Sequence, residues 1–128
     1  MKKLYSLVLL LFLTGISNAT EYQGKHNKQK IIKKTVDVNP AATLSVENKY
    51  GNVFVTTWDQ DKIDIEVIVT ISGDDEKWVN ARLASINVEF AGNSSSYSAK
   101  TIFDEQKNYG KKSSMEINYT VKIPKKGN

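Results

Sequence analysis

Five β-branched residues at alternate positions, Ile63, Ile65, Val67, Val69 and Ile71, constrain what this chain can fold into more than any other feature. Successive side chains of a strand point to opposite faces, so this spacing sets all five on one side. Asp64, Glu66 and Thr70 take the other side, with Ile68 the one apolar exception. A row of this kind has to be covered by another layer of structure. The chain has no cysteine, so the covering must come from a hydrophobic core and not from disulfides.

The same period recurs along the chain. Ile32 to Val38 predicts a first strand, ended by Asn39-Pro40, because proline cannot donate to a ladder and restrains the residue before it. Leu44 and Val46, then the turn residues Asn48-Lys49-Tyr50-Gly51-Asn52, then Val53 and Val55 predict a strand, turn, strand unit, with Gly51 the natural position for a positive φ. Trp58 closes the second of these strands before the polar turn Asp59 to Lys62. After Ile71, Ser72-Gly73-Asp74-Asp75 breaks the alternation, and Asp74 or Asp75 is placed to cap a helix over Glu76 to Ser85 that packs through Val79 and Leu83. Period two returns in Ile86, Val88 and Phe90, in the mixed stretch Tyr97 to Phe103, and in Met115 to Ile123, which Pro124 ends. Asp104 to Lys112 reads as a polar loop. The expected fold is mainly β: about seven short strands in a sandwich or a β-solenoid-like stack, with one short helix near residues 75–85.

The first 19 residues have a different character. Lys2 and Lys3 precede the apolar run Leu4 to Leu13, and Ser17-Asn18-Ala19 places small residues where a signal peptidase reads them. The pattern predicts a leader cleaved after Ala19, and its apolar run is shorter than the roughly 20 residues that span a bilayer. Loss of Lys2 and Lys3 with that leader takes the formal charge from +4 to +2. Residues 20–30 are polar and without period, which predicts a mobile basic arm, and residues 31–128 are expected to form a single β-rich domain. Lys25, Lys28, Lys30, Lys33 and Lys34 fall together with no acid among them.

Candidate chemistry is sparse. His26 is the one histidine and falls in the expected arm, where nothing would hold an imidazole for acid–base work. One histidine without cysteine is a poor set for zinc. Asp59 with Asp61, and Asp74 with Asp75 and Glu76, are the acidic clusters open to calcium, but neither has the spacing of a calcium loop, and a solvated turn and a helix cap account for them. A carboxylate-dependent hydrolase would need Asp59, Asp61, Asp64 and Glu66 to converge in a cleft. Trp58, Trp78, Tyr50 and Tyr119 are candidates for a sugar-stacking platform or, more simply, for core. No catalytic, cofactor-binding or metal-binding residue is assigned, and no cofactor is expected.

Leu44 to Val53, Trp58-Asp59, the Ile63 to Ile71 strand, Ala81 to Ile86 and Tyr119-Thr120-Val121-Lys122-Ile123-Pro124 together resemble the start of the exported putative-adhesin domains of Bacteroidetes-type bacteria, a family also labelled a domain of unknown function. The resemblance covers roughly residues 30–128 and consists of fold-forming positions, so it brings no catalytic motif. It implies an exported, solenoid-like β domain whose later repeats follow the strand that ends in proline. A Lys-x-Gly-Asn match between Lys49–Asn52 and Lys125–Asn128 gives the related expectation that the domain is truncated at its C-terminal end.

The leading expectation is therefore a secreted or cell-envelope, adhesin-like interaction module without catalytic activity, located in the periplasm, on the outer surface or outside the cell. Its expected partners are an envelope protein, a glycan or an anionic polymer, and not nucleic acid, with self-association through edge strands as a further route. A carboxylate-dependent envelope hydrolase and the N-terminal remnant of a longer β-solenoid are the alternatives.

Overall fold

The computed structural model describes residues 24–104 and 113–128. Their elements run β1 (His26–Asp37), β2 (Thr43–Glu47), β3 (Val53–Trp58), β4 (Lys62–Gly73), α1 (Glu76–Ser85), β5 (Ile86–Gly92), β6 (Ser96–Phe103) and β7 (Ser113–Pro124). The described residues are mainly β, with seven strands in two sheets and one short helix. The expected leader and most of the expected loop over Asp104 to Lys112 lie outside the described residues.

The central strand is the one with the strictest alternation. Ile63, Ile65, Val67, Val69 and Ile71 of β4 are all buried, as are Ile117, Tyr119, Val121 and Ile123 of β7, its antiparallel neighbour. The first sheet has the order β1-β4-β7-β3 and the second β2-β6-β5. Tyr97 and Ala99 from β6 and Ile86 from β5 join the β4 and β7 rows in one core, with Leu44 and Val46 of β2 packed against it. Helix α1 starts where the sequence places it: the Asp75 side chain accepts from the Trp78 amide at 3.1 Å, leaving one fewer unpaired donor in the first turn. Val79 is fully buried and Leu83 half-buried, so the helix packs through the expected pair.

Two expectations need correction. Part of the expected mobile arm is strand, since β1 begins at His26 and pairs with β4 from Gly73 to Lys62. The alternation was masked because Lys28, Lys30 and Lys34 occupy the same face as Ile32 and Val36, opposite the buried residues of β4. Burial of its stem pulls the Lys30 ammonium below the usual lysine pKa. The second correction concerns the positive φ within Leu44 to Val55, whose strand, turn, strand order is present as β2 and β3. These two strands do not pair with each other: β2 lies parallel to β6 in one sheet and β3 parallel to β7 in the other. Residues 48–52 therefore carry the chain from one sheet to the other. Tyr50, not Gly51, takes the positive φ, at 68°. Gly51 is needed for a different reason, because a β-carbon there would sit 1.9 Å from the Ile117 carbonyl oxygen.

Candidate interaction surface

The passage between sheets is fixed by a small polar network. Asn48 Nδ2 donates to the Ile117 carbonyl at 2.9 Å, and Asn48 Oδ1 accepts from Thr101 Oγ1 at 3.2 Å. That bond uses the only proton of Thr101, so the Tyr119 hydroxyl, 2.6 Å away, donates to Thr101. Burial raises the Tyr119 pKa. Beside the network lies a shallow groove of about 520 Å³ lined by Glu47, Asn48, Lys49 and Lys100 to Phe103. Two of its lining residues, Lys100 and Glu47, lie 3.6 Å apart as an exposed ion pair.

Past this corner β3 runs along the outside of the first sheet. Val53, Val55 and Thr57 stand beside Tyr119, Val121 and Ile123 of β7, and so face the core side. Yet Val53 is 40% exposed and Val55 54% exposed, because the second sheet is one strand narrower and does not reach over them. Phe54, on the other face, is 54% exposed, and Tyr50 is 59% exposed with its ring edge-on to Phe103 at 5.8 Å. Thr56 and Thr57 complete an exposed, uncharged stretch. The alternation of Val53 and Val55 predicts a buried face, and the structure exposes it.

The acidic and aromatic candidates are dispersed. Asp64 accepts from Thr35 Oγ1 at 2.6 Å, and Glu66 lies 3.5 Å from Lys33 Nζ, both on the outer face of β4. Asp59 and Asp61 occupy the exposed turn before β4, beside a shallow hollow of about 280 Å³ with Pro40, Trp58, Pro124, Lys125 and Lys126. Asp74 accepts from the Lys25 amide, and Glu76 lies 3.7 Å from Lys28 and 3.8 Å from His26 Nδ1. The lysines of β1 thus meet acids across the fold that their sequence neighbourhood lacks. Among the described residues no three histidine or carboxylate groups come together to hold a metal. Of the four aromatic candidates, Tyr119 is core, Trp78 packs against the core, and Trp58 donates to the Lys62 carbonyl at 2.8 Å with Lys122 5.2 Å over its ring. Only Tyr50 stands in solvent.

The fold and this surface define a class: a two-sheet β domain whose first sheet ends in an apolar edge strand that no other described element covers. No family model matches the chain, and no curated protein matches it. Among solved structures it is similar to a putative adhesin from Bacteroides fragilis, at 15% identity and a TM-score of 0.37 over 81% of this chain and 39% of the other. The chain thus spans about two-fifths of that protein's length.

Proposed function

We propose that this chain is an exported, adhesin-like interaction module of the cell envelope, without catalytic activity, and that β3 with Tyr50 is its contact surface. The observation that carries the reading is the row Val53, Phe54 and Val55, apolar on both faces of an edge strand and exposed on both. Soluble domains ordinarily protect such an edge with charge, proline or a covering segment, and an uncovered one is a template for a partner strand. Export rests on the leader pattern over residues 1–19. Expressed in a bacterium with its leader, the protein should be recovered from the envelope or medium with Thr20 as its first residue, and recovery from the cytoplasm with the leader uncut would refute export. Immobilised protein should bind envelope material in a manner weakened at least tenfold by Val55→Lys. Turnover of a glycan or ester substrate abolished by replacing one carboxylate, such as Asp61→Asn, would replace the reading with the hydrolase alternative.

A further inference from the structure

We infer that the occupant of the β3 edge is β3 of a second copy, forming a two-fold symmetric dimer in which the first sheet continues from one molecule into the other. The inference rests on β3 being the contact surface, and it names the partner. Three observations select a copy of the same chain.

The first is the contrast between the edges of the first sheet. β1, at one end, turns Lys28, Lys30 and Lys34 toward the core side and shows Lys33 on the other face, so an added strand would bury several ammonium groups. β3, at the other end, has no charged residue between Val53 and Trp58. Head-to-tail stacking would need β1 of the next molecule, whose lysines oppose it. Two β3 strands meeting have no like charges to bring together, and self-complementarity is what an isologous contact requires.

The second is the backbone. The Tyr119 amide donates to the Asn52 carbonyl at 2.9 Å, which sets the phase of the parallel ladder: Phe54 and Thr56 direct their amides and carbonyls at β7, and Val53, Val55 and Thr57 direct theirs outward. A two-fold axis beside Val55 then pairs Val55 with its own counterpart and Val53 with Thr57 in an antiparallel ladder, with every outward group from Val53 to Thr57 bonded. The β2 edge of the second sheet offers less: at its start, the Leu44 amide already donates to the Asn128 carbonyl and the Asn128 amide to the Ala42 carbonyl.

The third is area. Val53, Phe54, Val55 and Tyr50 present on the order of 400 Å² of side chain to solvent, the size of a functional patch on a monomer. Pairing the two edges covers part of these patches together with the backbone rungs, roughly 1,000 Å² at most and so at the lower limit of a specific interface, which fits a dimer that dissociates on dilution.

The test uses the protein expressed with its leader and purified from the envelope fraction, followed by sedimentation across a concentration series. A monomer–dimer equilibrium is expected, with Val55→Lys weakening it at least tenfold and leaving the circular dichroism unchanged, since that side chain is exposed. The natural chain has no cysteine, so a single introduced one reports unambiguously. Paired strands set Val55 about 5.5 Å from its counterpart between α-carbons, within disulfide reach, so Val55→Cys should give a covalent dimer on oxidation and Thr35→Cys on β1 should not. A monomer at every concentration, growth beyond the dimer, or equal cross-linking from Thr35→Cys would overturn the inference. The two readings fail separately. A wild-type monomer whose envelope binding is lost in Val55→Lys sinks the dimer and keeps the contact surface, whereas a dimer whose envelope binding ignores Val55→Lys does the reverse.

Discussion

Replacing Tyr119 by phenylalanine tests whether the buried network at the corner between the sheets stabilises the fold. The ring stays in its place in the core and only the hydroxyl is lost. Thr101 keeps its bond to Asn48 Oδ1 and loses the proton it accepts over 2.6 Å. One buried hydrogen bond of this kind contributes about 1 kcal/mol net, so Tyr119→Phe should lower stability by about that amount and Tm by about 4–8 °C. Asn48→Ala removes two bonds, to the Ile117 carbonyl and from Thr101, and should cost about 2 kcal/mol. Urea unfolding of both single variants and the double variant gives a cycle whose coupling should exceed about 0.5 kcal/mol, because the two side chains share Thr101. The pH dependence has a definite sign. The folded-state pKa of Tyr119 is raised, so the unfolded phenol ionises first; its contribution to stability is complete below the ordinary tyrosine pKa of about 10 and declines as pH rises past it. Tyr119→Phe should flatten that alkaline decline. A neutral Tyr119→Phe, or additive single effects, would show that the network does not act as a unit.

Other substitutions probe other levels of the structure. Gly51→Ala places a β-carbon 1.9 Å from the Ile117 carbonyl oxygen and forces the β3–β7 ladder to shift, so it should cost more than about 2 kcal/mol by chemical denaturation and deprotect the amides of residues 53–58 to hydrogen exchange. Ile65→Ala, in the fully covered row of β4, should cost about 3 kcal/mol, while Ile31→Ala, 54% exposed on β1, should change the denaturation midpoint little.

Much of this fold is legible in the sequence because one rule governs it. Where the alternating residues are all apolar, as from Ile63 to Ile71 or Ile117 to Ile123, the period gives the strand and its buried face together. The same rule missed the start of β1, where lysines take core-side positions: the pattern is present in geometry but absent from hydrophobicity. At β3 it erred in the other direction. Val53 and Val55 do face the core side, but a pattern within one strand carries no information about whether another layer extends far enough to cover it. Tyr50 and Gly51 show a third limit. The turn residues were visible, but which one takes the left-handed backbone depends on how closely β3 approaches Ile117, a contact made 66 positions away. The candidate surface was therefore hidden as an apparent core strand.

The antiparallel ladders around β4 have a mechanical consequence. β1 and β7 both run opposite to β4, hence parallel to each other, with His26 and Ser113 at the Gly73 end of the sheet. Lys122 lies at the other end, opposite Asp64. Tension applied between the start of β1 and the end of β7 thus pulls along the strand axes and loads the rungs of both ladders in shear, all at once, where a hairpin pulled at its open end would unzip rung by rung. A protein tethered at one of these points and tugged at the other would yield abruptly, at high force, and not by gradual peeling.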